Sequence, residues 1–263
     1  MHALEMGSGS GVVLAALARL GAASLCGVDV EHDAVAAGTL LLQDLGHGPR
    51  SQIHRGDMWQ PVAGRRFDLI AANLPHFAME DHEVPGRHAT WSAGGPNGRR
   101  LLDPFLAGLR DHLAEGGRAV LTHNGFVGLD ASREAVAAHG LTLRVVKSVL
   151  VSIDQEKLAL MTPSVLRAEE GKSIHRYGPT HSLICMLLKL LLKIGIRMPG
   201  KWRFLLLVAG LLVTGVAPAL AETPDAALDR LLGEARVEAE APGACEKPDT
   251  DRLVRIFCEG SIR

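Results

Sequence analysis

Leu4-Glu5-Met6-Gly7-Ser8-Gly9-Ser10-Gly11 is the stretch that decides the fold, together with Asp29 at the end of the next apolar run. It predicts a strand, a glycine-rich turn, a helix start, and a second strand ending in an acid. The glycine spacing narrows the ligand. A dinucleotide turn needs G-x-G-x-x-G, with phosphate at the helix N-terminus. Counting from Gly7, the third glycine should fall on Val12; counting from Gly9, it should fall on Leu14. Neither register fits. The pattern is E-x-G-x-G-x-G, in which glycine lets the backbone approach a ligand closely.

Outward from this turn, strand and helix signals alternate, which argues for an α/β fold with a parallel sheet covered on both faces. Strands are expected near 2–6, 25–30, 52–55, 67–72, 118–123 and 141–151. Helices are expected over 11–20, 33–45, 100–113 and 131–139, several of them stopped by glycine. A long loop spans 74–98. The segment 180–190 reads either as a last strand or as a helix.

The 263 residues suffice for one large α/β domain plus extra segments. A net charge of -1 gives no global electrostatic case for a nucleic-acid or acidic partner. Aromatic residues, at 4%, are too few for a base-stacking surface. The cysteines Cys26, Cys185, Cys245 and Cys258 form no C-x-x-C pair, against a zinc knuckle or a thioredoxin-like site.

The glycine turn resembles motif I of the Rossmann-like S-adenosylmethionine (SAM) methyltransferases. The resemblance covers about 1–179 and implies a mostly parallel sheet with an antiparallel last strand inserted beside strand six. It implies SAM as cofactor, held by Glu5, Gly7, Gly9, Gly11, Asp29, Asp57 and Met58. Glu5 would hold the methionine amino end, unless it bridges to Arg19. Asp29 would take the ribose hydroxyls, with Glu31 a near alternative, because an ionised carboxylate only accepts hydrogen bonds. Asp57 would meet the adenine amino group and Met58 would pack on the ring.

Asn73-Leu74-Pro75-His76-Phe77, at the end of strand four, resembles the Asn/Asp-Pro-Pro-Tyr/Phe motif of amino-methylating enzymes. The family includes release-factor glutamine methyltransferases and enzymes acting on exocyclic amines of bases. The implied catalytic set is Asn73, Pro75, His76 and Phe77. The Asn73 oxygen and the next carbonyl would accept both hydrogens of a planar nitrogen and aim its lone pair, which is catalysis by positioning. Leu74 departs from the first proline, and His76 stands where Tyr or Phe is usual. His76 could stack on the acceptor or take a proton. Gly94-Gly95-Pro96-Asn97-Gly98 resembles the segment that follows this motif in the glutamine enzymes.

The implied activity is N-methylation of a protein glutamine or a nucleic-acid base. The competing expectation is a non-catalytic SAM-binding domain fused to a membrane or exported tail. Only Met1–Met6 precede the turn, so an upstream recognition element is expected to be absent or cut away. His76, His82 and His88, with Glu80, Asp81 and Glu83, lack a metal-binding spacing, so no metal is expected and an active-site loop fits better.

The tail changes character. Residues 193–203 read as a basic linker after a domain spanning 1–192. Residues 204–221 are apolar apart from Thr214, near the length of a bilayer span. Beginning at Met198, the same segment has the plan of a secretory signal, with Ala219-Leu220-Ala221 as its cleavage site. The expectation is a cytoplasmic catalytic domain anchored by this helix, followed by a polar tail, 222–263, in which Cys245 and Cys258 could pair in an oxidising compartment.

Overall fold

A computed structural model describes residues 1–79, 92–178 and 180–192. The expected basic linker, the apolar helix 204–221 and the tail lie outside these residues, as do His82 and His88. Among the described residues no helix is long and apolar enough to cross a membrane.

The first half alternates as far as β3 and then passes to β4 without an α-helix: β1 (His2–Met6), α1 (Val12–Arg19), β2 (Ser24–Asp29), α2 (His32–Asp44), β3 (Ser51–Arg55) and β4 (Phe67–Ala72). Then come α3 (Leu102–His112), β5 (Leu113–Asn124), α4 (Leu129–Ala138), β6 (Leu141–Ile153), the short helices α5 (Gln155–Ala159) and α6 (Pro163–Glu169), β7 (Ile174–Tyr177) and β8 (Thr180–Leu192). The sheet order is β3-β2-β1-β4-β5-β8-β6, with β7 paired to β8. Strands β1 to β5 are parallel, and β8 runs antiparallel between β5 and β6.

The two sheet faces carry separate cores because strand residues alternate sides. Ala3, Leu25 and Leu69 pack with Leu14, Leu17 and Leu42 of α1 and α2. Leu4, Met6, Val28 and Ile70 pack with Phe105 and Leu109 of α3 and Val136 of α4. This alternation puts Glu5 on the α1 side.

The ambiguous run 180–190 is a strand. Met186, Leu188 and Leu190 are buried at a period of two, and hydrogen-bond partners on both sides satisfy its backbone. It extends to Leu192, two residues beyond expectation. The helix expected over 100–113 instead occupies Leu102–His112, and the next strand begins at Leu113, through a register irregularity against Phe67–Leu69. The pair of short helices and β7 carried no periodic signal and were not anticipated.

Because β1 and β4 are neighbours whose connections leave in opposite directions, a crevice opens at their carboxyl ends. That is where open α/β sheets bind ligands. Register pairs Met6 with Ala72, so the glycine turn after β1 and the Asn73 loop after β4 emerge side by side.

Candidate functional site

The glycine turn is built on left-handed backbone. Gly7, Gly9 and Gly11 have φ of 71°, 48° and 78°, a region that side chains disfavour. The Gly7 and Ser8 amides both donate to the Val28 carbonyl, at 2.8 and 3.0 Å, fastening the turn to the end of β2. Gly11 meets a glycine across the interface: a Cβ on it would lie 3.0 Å from the Gly38 Cα of α2. That contact explains a glycine inside α2.

Glu5 is 4% exposed at the floor of the turn. Burial raises its pKa well above the ordinary range; the Leu14 N–H opposes this and the Asp29 charge adds to it. Its Oε2 and the neighbouring Ser8 Oγ are both buried without hydrogen-bond partners. The alternative bridge to Arg19 is not formed, because Arg19 lies exposed on α1. An acceptor left bare in this way calls for a cationic or donor group from a ligand.

Asp29 is half-buried and already braces the site. Oδ2 accepts the Gly9 N–H at 2.8 Å, and Oδ1 accepts the Glu31 N–H at 3.0 Å. A carboxylate keeps further lone pairs beyond these two. Glu31 contributes its backbone here. The Gly56 amide donates to the Asp29 carbonyl, which brings the third strand's turn alongside. Asp57 is exposed at that turn and Met58 is half-buried. Met58 has φ of 45°, unique among the described non-glycine residues. Such strain gathers at ligand sites. Trp59 fixes the turn from below, stacked on Phe105 and His112 with its Nε1–H donated to the Pro104 carbonyl.

The second loop abuts the first: a Cβ on Gly7 would lie 3.1 Å from Leu74 Cδ2. Asn73 is exposed, and its Oδ1 accepts the Thr122 hydroxyl at 2.5 Å. The Leu74 carbonyl accepts from His76 Nδ1. Pro75 is half-buried between them. His76 is 8% exposed, and burial, outweighing its hydrogen bond to Leu74, lowers its pKa. Phe77, expected in the catalytic set, does not face the crevice. It is buried, edge-on to Phe126 at 5.6 Å, with Lys157 over the ring. The apolar ring follows the chain into the core.

The segment 94–98 clamps this loop from outside. A Cβ on Gly94 would stand 2.7 Å from the His76 Cα, and one on Gly98 would stand 2.6 Å from the His76 carbonyl oxygen. Asn97 Oδ1 caps the turn by accepting the Arg99 N–H. Among the described residues no group of three or more His, Cys, Asp or Glu could hold a metal.

These residues fit SAM as a ligand. The orphaned Glu5 Oε2 and Ser8 Oγ suit its ammonium, and Asp29 retains acceptors for its ribose hydroxyls; Asp57 is exposed at the neighbouring turn, and Met58 packs partly against the core. Sequence reasoning missed Ser8, a variable position inside the glycine motif, and Thr122, His123, Ser132 and Arg99, which belong to no motif. Thr122 and His123 lie at the end of β5, Ser132 on α4 and Arg99 in the loop before α3, and only the fold brings them together.

The model of a methyltransferase domain family matches residues 3–89. A Methanocaldococcus jannaschii protein provisionally named a protein N5-glutamine methyltransferase is 29% identical over 128 residues, covering 48% of this chain and 62% of that one. The release factor glutamine methyltransferase of Geobacter sulfurreducens is 35% identical over 82 residues, covering 31% and 28%. The chain thus spans less than two thirds of the length of either relative. The YcgJ protein from Bacillus subtilis superposes with a TM-score of 0.51 at 14% identity, covering 74% of this chain and 92% of that one, a likeness of fold.

Proposed function

We propose, for a chain whose residues 3–89 belong to a methyltransferase family that uses S-adenosyl-L-methionine, that it methylates the side-chain amide nitrogen of glutamine in a protein. The observation that carries this reading is the contact between the glycine turn and the loop Asn73–Pro75, which sets a cofactor cradle against a pair of hydrogen-bond acceptors. The names of the two relatives point the same way.

Bound SAM would supply a methyl group on a sulfonium, electrophilic without any metal. The protein's part is binding and orientation. Glu5 and Ser8 would hold the ammonium end, and Asp29 the ribose. The second lone pairs of Asn73 Oδ1 and of the Leu74 carbonyl would accept the two hydrogens of the amide. Thr122 and His76 already hold these oxygens in place, so little orientation remains to be gained on binding. An amide nitrogen held by both hydrogens turns its lone pair toward the methyl, a gain from proximity and alignment. As the N–C bond forms and the sulfonium S–C bond breaks, the amide would give up one proton, which would leave to water; His76, buried and bonded to the Leu74 carbonyl, is not placed to take it.

Incubation of the chain with cell extract and methyl-labelled SAM, followed by hydrolysis and mass spectrometry, tests the acceptor. N5-methylglutamine in the protein fraction is the expected product. Label confined to RNA or DNA bases would contradict the glutamine assignment.

A further inference from the structure

Two buried histidines beside the acceptor loop have complementary free atoms. His123 on β5 is fully buried and stands one residue past Thr122, the partner of Asn73. The register pairs Ala72 with Leu121, and the Asn73–Thr122 hydrogen bond carries the approach of the two segments one residue further, up to the position before His123. His123 Nε2 lies 2.9 Å from Ser132 Oγ of α4. Arg99, always a donor, gives its Nη1–H to the same oxygen at 3.1 Å and to the Val127 carbonyl at 2.6 Å. Asp103 grips that guanidinium through a second edge.

Ser132 Oγ accepts from Arg99 and keeps a second lone pair, so its contact with His123 Nε2 can run either way; in the proposed chain the hydroxyl hydrogen goes to His123 Nε2. His123 Nδ1 then carries the ring hydrogen. On His76, Nδ1 faces the Leu74 carbonyl, which can only accept, so Nδ1 carries the hydrogen there and Nε2 keeps a bare lone pair. Both rings stay neutral. Burial first, then the repulsion that a protonated ring would meet from His76 and Arg99, push His123 down to about 4 against an opposing Asn124 carbonyl, and burial lowers His76. What remains is a donor, His123 Nδ1–H, and an acceptor, His76 Nε2, both buried and without partners. Leaving both bare would be costly.

We propose that one water links His123 Nδ1–H to His76 Nε2, completing a one-way chain of hydrogen bonds from Arg99 through Ser132, His123 and His76 to the Leu74 carbonyl. The chain makes His76 a positioning residue: it fixes the backbone oxygen that would hold the acceptor nitrogen. It also explains a histidine at this position, because imidazole donates from one ring atom and accepts at another, whereas Phe does neither and Tyr has a single oxygen for both. Arg99 follows directly on the 94–98 clamp, so the chain ties that segment to the acceptor loop. Its catalytic consequence rests on the proposed glutamine methylation; its hydrogen-bond pattern does not.

Long-range proton–nitrogen spectra of the histidine-labelled full chain test it, with signals assigned through His76→Asn and His123→Gln. Both rings should be neutral Nδ1–H tautomers, and Ser132→Ala should shift the His76 Nε2 resonance. An Nε2–H tautomer at His76, or a His76 signal indifferent to Ser132→Ala, overturns the proposal. Should Ser132→Ala not fold, the His76 shift in His123→Gln decides by the same criterion. In methyl transfer, Ser132→Ala should lose roughly tenfold in kcat with SAM affinity unchanged, as expected of lost positioning, and Ser132→Thr should restore it. If the native chain methylates nothing, the proposed function fails while the spectra still decide the hydrogen-bond chain.

Discussion

A Cβ added to Gly7 would stand 3.1 Å from Leu74 Cδ2, so the turn after β1 and the loop after β4 are in contact through a glycine. The two halves of the proposed reaction meet at this point. Gly7→Ala therefore does two things. It forces a side chain into left-handed backbone, at a cost of about 1–2 kcal/mol, and it displaces Leu74. Gly46 provides the control, having φ of 74° with nothing within 4 Å. Thermal melts should show Gly7→Ala at least as destabilised as Gly46→Ala, which meets the backbone strain alone. Methyl transfer should fall only in Gly7→Ala.

Glu5 should trade stability for binding. Its pKa is raised in the folded chain, so between the unfolded value of 4.5 and the higher folded one the native state holds the extra proton. Stability from this group is lost as pH climbs through that window. Glu5→Gln removes the charge, keeps the shape and should raise the melting temperature of the ligand-free protein at neutral pH. The same variant should lose most of its SAM affinity by calorimetry. A variant both less stable and still binding would count against Glu5 as the ammonium site.

Asp29 should be needed for more than the ribose. Its two oxygens hold Gly9 and Glu31. Hydrogen bonds to charged groups are worth about 1.5–3 kcal/mol. Asp29→Asn keeps one acceptor and should weaken SAM binding roughly ten- to hundredfold. Asp29→Ala should weaken it further and also lower the melting temperature.

His123 should dominate an acid-sensitive step in stability. Its folded pKa is lowered to about 4 from 6.5, so as pH falls the unfolded chain takes up the proton first. Stability is full above about pH 6.5 and is lost as pH falls toward 4. The contribution over that window is about 3 kcal/mol. Urea midpoints from pH 7 to 4 should fall less in His123→Gln than in the native chain.

Much of this was legible in the chain. The glycine turn, Asp29 and the strand alternation announced a parallel sheet with a ligand crevice, because glycine spacing and hydrophobic period are local signals. Asn73 was legible as a strand-end polar residue, and its partner Thr122 was not. Nothing in the neighbourhood of Thr122 says which strand it will lie beside; that is fixed by sheet order. The same holds for His123, Ser132 and Arg99, which are scattered in sequence and meet only through the packing of α4 behind β5. Phe77 was placed in the catalytic set by its position beside the motif, and its burial against Phe126 is a matter of packing that the local sequence does not show. The apolar run 180–190 was ambiguous because a strand flanked on both sides and a buried helix share a composition.

The central claim is that the Asn73 loop orients an acceptor nitrogen against a SAM site that works independently of it. The direct measurement is transfer of labelled methyl by native and Asn73→Ala protein, with SAM affinity measured on the same samples. The account predicts that Asn73→Ala binds SAM as the native chain does and transfers methyl at least a hundredfold more slowly, the scale of a lost alignment. Equal rates in the two proteins, or loss of SAM binding in Asn73→Ala, would contradict it.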